Sequence, residues 1–300
     1  ADQVSALAAE AGLDGAVRGG PDPHGTDLDG TGPGGTGTVA RHVSACLAGA
    51  DLPEEEAALS AALAAQGWSR AAVVVNDTFA VLRAGSADER WGAAVTCGAG
   101  TNCVAVGPDG AVARYLSHGT LTGDWGGGHS LSREVMWHAM RGWDGRGPAT
   151  ALGDAAAACF GLASVRDVAV AVHRGELSGA DLHRLTWVLF AVAASGDPVA
   201  CSLVTRQAVE VCTMAAAALR RIGLSPAGVP VVLGGGLLES RQPLLLAEID
   251  RELTVAAPGA VRRVLDVPPL AGAALLGLDA VAAPAAARQR LIASYRPARA

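Results

Sequence analysis

The sequence predicts an α/β protein built in two lobes, and three observations lead there. A chain of 300 residues is large for a single core. Half of its residues are hydrophobic and only 17% are charged, which leaves ample material for a buried interior and argues against wholesale disorder. Short strand-like runs cluster in the first third, helical periodicity dominates the middle, and strand–turn–helix units return near the end.

The elements follow in chain order. Residues 1–20 read poorly as helix or strand, apart from an extended segment over residues 4–10 that turns at Gly12. Residues 19–37 hold too many glycines and prolines for a regular element and read as a loop. Asp51 and Pro53 open a helix with Glu54, Glu55 and Glu56 in its first turn, where the macrodipole favours negative charge, and Gly67 closes it. An apolar strand over residues 71–75 delivers Asn76-Asp77. Strands at 92–97 and 103–107 flank a glycine hairpin, and Pro108-Asp109-Gly110 turns the second into another strand. Helices are expected over 132–142, 150–160, 164–174, 179–195 and 198–222. Strand 230–233, a helix over 240–253, a strand at 261–265 and a helix over 270–282 complete the chain. No internal repeat is visible. A division into lobes is expected at 1–115 and 116–300, with the last helix packing back on the first lobe.

Composition removes several functions. The net charge is −6 and no Lys/Arg cluster exists, so nucleic acid and anionic membrane are poor partners. Every basic side chain among the 23 Lys+Arg is arginine. A lysine-dependent P-loop, a protein-kinase strand lysine and Schiff-base chemistry are thereby excluded, because each needs the amine. The six cysteines show neither a C-x-x-C pair nor metal-ligand spacing and read as reduced thiols of a cytoplasmic protein. The N-terminus lacks the basic start and apolar stretch of a signal peptide, and no apolar run approaches membrane-spanning length.

What remains is a series of parts suited to phosphoryl transfer, which needs one base and many backbone donors. Asp77 leaves a strand end, where ligands bind in open α/β folds. It is the candidate base, against the plainer reading of a turn or helix-cap aspartate. In Cys97-Gly98-Ala99-Gly100-Thr101-Asn102-Cys103 the turn amides can face a phosphate, and Thr101 and Asn102 add side-chain hydrogen-bonding groups. Gly123-Asp124-Trp125-Gly126-Gly127-Gly128 sets one carboxylate among glycines. Asp124 can hold a metal-bound water there, and a flexible hinge is the blander account. Gly234-Gly235-Gly236, between a buried strand and a helix, has the shape for nucleotide contact. The seven histidines carry no signal, and Asp144-Gly145-Arg146-Gly147-Pro148 is most simply a turn.

Taken together with Pro269-Leu270-Ala271-Gly272-Ala273-Ala274, these segments resemble, in order along nearly the whole chain, the BadF/BadG/BcrA/BcrD ATPase family, and most closely its N-acetylglucosamine-kinase-like branch. The resemblance implies a two-lobed actin-like (ribonuclease-H-like) ATPase fold with ATP and Mg²⁺ in the central interdomain cleft and a small-molecule sugar as acceptor. It implies that Asp77 activates the sugar hydroxyl. Gly98, Gly100 and Thr101 would form the second phosphate loop, and Gly234, Gly235 and Gly236 would receive adenosine. Asn76, Asn102, Asp124 and Gly126 would lie at the sugar, with Asp124 also at the metal. A homodimer stays open. Family members begin with a strand and a first phosphate loop of the type D-G-G-G-T-K/S-T. Ala1-Asp2-Gln3-Val4 is expected to start just after it, and Asp29-Gly30-Thr31-Gly32 has similar letters but no apolar strand before it. Gly20-Pro21-Asp22-Pro23 stands where the family's sugar loop has an asparagine after Gly-Gly-Pro. Two other classes stay open: a catalytically silent sugar-binding or regulatory module, and an ATPase activator of a radical dehydratase, which would need cysteines bridging an iron–sulfur cluster.

Overall fold

The computed structural model describes residues 40–86 and 89–295. The expected extended segment at 4–10, the loop at 19–37, and the segments at 20–23 and 29–32 lie outside the described residues.

Two sheets organise the chain. Strand β1 (Val43–Leu47) pairs in parallel with β2 (Ala72–Asn76), and helix α1 (Pro53–Ala64) connects them. The larger sheet contains β3 (Gly92–Cys97), β4 (Thr101–Val106), β5 (Val112–Arg114), β6 (Pro230–Gly234) and β7 (Val261–Val264). Its order is β5-β4-β3-β6-β7. The β3–β4 and β4–β5 pairs are antiparallel, whereas β3–β6 and β6–β7 are parallel. A meander followed by parallel strands added on its β3 side is the ribonuclease-H-like arrangement.

Period-two alternation gives this sheet two buried faces. Ala93, Val95 and Cys97 of β3, Cys103 and Ala105 of β4, and Val231 and Leu233 of β6 enter the main core. That core is completed by helices α3 (Gly127–Asp144), α4 (Leu152–Phe160), α5 (Val165–His173), α6 (Leu185–Ala194), α7 (Pro198–Arg221) and α8 (Pro243–Ala256). The intervening residues Ala94, Val104 and Val232 face a second core with Val81 and Leu82 of helix α2 (Asp77–Gly85) and Ala271 of helix α9 (Pro269–Ala280). Helices α2 and α9 thus lie on the sheet and also touch β1. They cross closely: a Cβ at Gly272 would stand 1.9 Å from the Ala80 carbonyl oxygen, so the crossing requires glycine. Arg83 of α2 reinforces it with a 2.7 Å ion pair to Asp279. A last helix, α10 (Ala285–Tyr295), packs Ile292 and Tyr295 against the same core.

Several expectations change. The larger sheet draws β3–β5 from before residue 115 and β6 and β7 from after it. Strand β1 and helix α2 were not foreseen. Helix α3 starts at Gly127, so Gly127 and Gly128 are buried first-turn residues rather than a hinge. The helix expected over 179–195 divides into a 3-10 turn (Asp181–Arg184) and α6. Among the described residues, no single helix is long and apolar enough to cross a membrane.

Candidate active site

Asp77 is the first residue of α2, and Asn76 is the cap before it. The Asn76 side-chain oxygen accepts from Thr78 N at 3.0 Å and from Thr78 Oγ1 at 2.6 Å. The cap fixes the strand–helix corner and leaves the Asp77 carboxylate half-buried at a cavity of about 290 Å³. Burial is the largest influence on this carboxyl and raises its pKa above the ordinary aspartate value. The neighbouring Asp51 charge raises it further, while amide donation from Thr78 and from Asp77 itself opposes both.

The same cavity is lined by Asn76, Gly98, Gly100, Thr101, Asn102 and Gly235. Thr96 and Asn102 are cross-strand partners on the α2-facing side of the sheet, which brings the Asn102 amide towards Asn76. Asn102 Nδ2 donates to Asn76 Oδ1 at 3.3 Å and to Asp51 Oδ1 at 3.1 Å, and Asn76 Nδ2 donates to the same Asp51 oxygen at 2.8 Å.

The 98–101 hairpin gains its orientation from α3. Gly128 N donates to Gly98 O at 2.8 Å and His129 N to Ala99 O at 2.9 Å. Gly127 makes this approach feasible, since a Cβ there would meet Ala99 O at 2.6 Å. A trans peptide points its N–H opposite its carbonyl. The Ala99 and Gly100 amides therefore point away from the helix, in a loop that lines the cavity. Added Cβ atoms at Gly98 and Gly100 would meet nothing within 4 Å, so these glycines leave room for something outside the fold.

A second cavity, also about 290 Å³, shares Ala99, Gly100, Thr101 and Ser117 with the first and adds Asp124, Gly126 and His129. Asp124 accepts from Thr122 Oγ1 at 2.5 Å. Gly126 lies against Gln207, which accepts from Gly127 N at 3.0 Å. Asp124 and Gly126 thus line a different cavity from Asp77, with the hairpin common to both.

The glycine triplet divides into three cases. Gly234 is core: its Cβ would collide with Val81 Cγ1 at 2.6 Å. Gly235, at φ +85°, stands over the Cys97 backbone, and its N–H is taken by Glu239 Oε1 at 2.7 Å. Only Gly236, opening the helical turn Gly236–Glu239, has open space around a Cβ. Neither Gly234 nor Gly236 lines either cavity.

Sequence reasoning missed Asp51, Ser117 and His129. Asp51 was read as a helix opener, yet Glu55 Oε2 receives the Asp51 and Leu52 amides at 3.0 Å each, which leaves the Asp51 side chain for the two asparagines. A usable signal existed: Asp51 follows a strand end and Gly49, much as Asp77 follows β2. Within the 144–148 segment, Arg146 pairs with Asp144 at 2.7 Å.

No group of three or more His, Cys, Asp or Glu suited to a metal ion occurs among the described residues. The donor set fits Mg²⁺ only in its usual manner with nucleotides, held by one or two carboxylates, water and phosphate oxygens. ATP fits the open glycine hairpin.

Two sheets, with a strand-end carboxylate and a glycine hairpin sharing one cleft, define a two-lobed, actin-like ATPase fold. The chain belongs to the BadF/BadG/BcrA/BcrD ATPase family, whose model matches residues 24–277. It is 24% identical over 212 residues to the N-acetylmuramic acid/N-acetylglucosamine kinase of Clostridium acetobutylicum, covering 69% of each chain. It is 25% identical to the N-acetyl-D-glucosamine kinase of Dictyostelium discoideum, over 68% of this chain and 64% of that one. A solved structure of a proposed N-acetylglucosamine kinase from Porphyromonas gingivalis matches with TM-score 0.57 and 20% identity, over 79% of this chain and 77% of its own. One from Chromobacterium violaceum matches with TM-score 0.56 and 22% identity, over 78% and 75%.

Proposed function

We propose that this chain is an ATP-dependent kinase of an amino sugar, with N-acetylglucosamine as the foremost acceptor. The observation that carries the reading is the meeting of Asp77 and the 98–101 hairpin at one cavity. Phosphoryl transfer requires that juxtaposition: a base beside the acceptor hydroxyl and preorganised amides where phosphate charge builds up.

In this reading the ionised Asp77 carboxylate takes the proton of the attacking hydroxyl. Its upward-shifted pKa makes it a better proton acceptor than an exposed aspartate. The Ala99 and Gly100 amides, with Gly98 and Thr101, receive the phosphates, and Gly236 with Gly235 flanks the adenosine. Asn76 and Asn102 orient the sugar, and Asp124 with Gly126 binds its far side. Asp124 is also the carboxylate that would hold Mg²⁺, which supplies neutralisation of phosphate charge when bound. A cytoplasmic setting and the absence of nucleic-acid or membrane partners belong to the same proposal, and homodimerisation stays open within it. The thiols are free among the described residues, and burial pushes Cys97 up to about 11, which suits unreactive, reduced cysteines.

A coupled ADP-release assay with N-acetylglucosamine, N-acetylmuramic acid and glucosamine tests the proposal. Turnover that requires an N-acetylated amino sugar supports it. ADP release independent of any acceptor favours an ATPase activator, and sugar binding without turnover favours a silent module.

A further inference from the structure

Glu56 holds two parts of the molecule at once. Its Oε1 accepts from Asn76 N at 2.7 Å, the amide immediately before Asp77. Both of its carboxylate oxygens also accept from Arg114, at 2.8 and 2.9 Å, in the two-pronged geometry that a planar guanidinium allows. Glu56 belongs to α1, beside the small sheet, whereas Arg114 ends β5 of the larger one. The pair is largely withdrawn from water, with the arginine side chain 24% exposed and the glutamate 14%. Neither residue lines the cavity with Asp77 or the one with Asp124.

The arrangement starts from periodicity. Residues four apart share one face of a helix, and alternate amides share one edge of a strand. Glu56 and Ser60 of α1 accordingly answer two alternate amides of β2, with Val74 N donating to Ser60 Oγ at 2.8 Å and Asn76 N to Glu56. Of the three first-turn glutamates, Glu54 is exposed and Glu55 takes the Asp51 and Leu52 amides; it is Glu56 that reaches the larger sheet. Arg114 adds two holds of its own. It donates to Ala50 O at 3.3 Å, the carbonyl before Asp51, and its guanidinium lies 5.7 Å from the centre of the Phe79 ring in the first turn of α2. One guanidinium thus reaches the residue before Asp51 directly and the residue before Asp77 through Glu56. The Arg114 carbonyl in turn accepts from Arg221 at 2.8 Å, which ties the end of β5 to α7.

We infer that Glu56 is a positioning residue for phosphoryl transfer: clamped by Arg114, it sets the strand–helix corner of Asp77 at a fixed distance from the 98–101 hairpin. This rests on the reading of Asp77 as the base of a sugar kinase. The hairpin joins β3 to β4, and β5 pairs with β4. A bond from β5 to the Asp77 corner therefore refers the base to the same sheet that presents the phosphate loop. The Asn76 cap gives the first residue of α2 its direction, and Glu56 fixes where the corner stands. Transfer between two bound groups tolerates little misplacement, and a shift on the order of 1 Å at a reacting group is costly. The clamp acts on the base alone, because the hairpin has its own support in the Gly128 and His129 amides.

The test compares Glu56→Gln and the double variant Glu56→Met/Arg114→Met with the unaltered protein. It reads kcat by ADP release at saturating N-acetylglucosamine, Kd for ATP by calorimetric titration, and melting temperature without ligand. Glutamine keeps an acceptor oxygen for the Asn76 amide, so kcat should stay within about threefold of the original. The double variant removes that acceptor but leaves no unpaired charge, and exchanging a withdrawn ion pair for apolar side chains of similar size is often neutral for stability. It should melt close to the unaltered protein and bind ATP with a Kd within about twofold, while kcat falls about tenfold or more. A double variant with kcat within about twofold of the original overturns the inference. So does one that fails to fold, or that loses kcat and ATP affinity together with melting temperature, since the pair would then be purely structural. Glu56→Gln falling as far as the double variant overturns it as well, because the Asn76 hydrogen bond would not be what matters. Absence of turnover by the unaltered protein with any of the three amino sugars overturns the kinase reading itself, and is thereby distinct from failure at Glu56.

Discussion

The Asp51 carboxylate accepts from the Asn76 side-chain amide at 2.8 Å, and this bond joins the segment after β1 to the residue immediately before Asp77. The same oxygen holds Asn102 of the larger sheet. One half-buried carboxylate thus links the two sheets where they meet, and its charge raises the pKa of Asp77. Asp51→Ala frees both amides and should lower kcat/KM for the sugar by about 10- to 100-fold, one to two hydrogen bonds' worth. Asp51→Asn keeps an acceptor oxygen but no charge. It should retain most of the activity while moving the acid limb of the pH–rate profile to lower pH, because Asp77 loses a like-charged neighbour. An unmoved profile in Asp51→Asn would mean that the two carboxylates do not communicate.

At Asp77, catalysis and stability should pull in opposite directions. Asp77→Asn should cut kcat by about 10² to 10⁴ if the carboxylate is the base. Its folded-state pKa is raised, chiefly by burial. A group shifted upward stabilises the fold fully below its unfolded pKa and loses that contribution as pH rises through the folded value. At neutral pH the wild-type protein therefore carries an unfavourable buried charge that asparagine lacks. The variant should melt higher than wild type at pH 7, and the gap should close as the pH drops below about 4, where the unfolded aspartate is protonated as well. Paired melting curves at the two pH values decide it; a variant that melts lower at pH 7 refutes the argument.

Much of this site was legible because glycine and asparagine at strand ends have few structural uses, so the segments around Asn76-Asp77 and Gly98–Asn102 stood out. The apolar runs of β3, β4 and β6 were equally plain, being buried on both faces. Helix α2 was hidden by its brevity and by Asp77-Thr78 at its head, which reads as a turn until the Asn76 cap is seen. Strand β1, Val-Ser-Ala-Cys-Leu, is half-buried throughout and shows no alternation. Asp51 was obscured by Glu54, Glu55 and Glu56, which account for a helix start without it. Ser117, which lines both cavities at a left-handed φ of +55°, could not be read at all, since such a conformation leaves no mark in composition.

The glycine triplet supplies a discriminating pair. Gly235→Ala forces a Cβ to within 2.6 Å of the Cys97 carbonyl oxygen at φ +85°, and should lose about 2–4 kcal/mol of stability together with both ligands. Gly236→Val sets its Cβ in open space, with nothing within 4 Å, and should preserve the fold. If the turn receives adenosine, ATP-dependent thermal stabilisation falls in Gly236→Val while sugar-dependent stabilisation persists. Equal responses to ATP in wild type and Gly236→Val would remove the turn from the nucleotide site.

The crossing of α2 and α9 gives the most remote control over Asp77. Gly272 has no cavity around it: an alanine methyl would stand 1.9 Å from Ala80 O and 3.0 Å from Ala84 N, both on the helix that begins at Asp77. Neither obstacle is a flexible side-chain tip, so the helices must separate. Overpacking of this kind costs about 3 kcal/mol. The Arg83–Asp279 pair spans the same crossing and would be stretched by the separation. Gly272→Ala should therefore lower the melting temperature by several degrees. If Asp77 is the base, it should also reduce kcat at saturating sugar by about tenfold or more, because a displacement on the order of 1 Å there is enough for that. The hairpin is held by α3 through Gly128 and His129, so if it is the phosphate loop, nucleotide binding should change little. A Gly272→Ala protein with unaltered melting temperature would show that the crossing yields elsewhere, and one with lowered stability but full kcat would show that Asp77 keeps its place without α9.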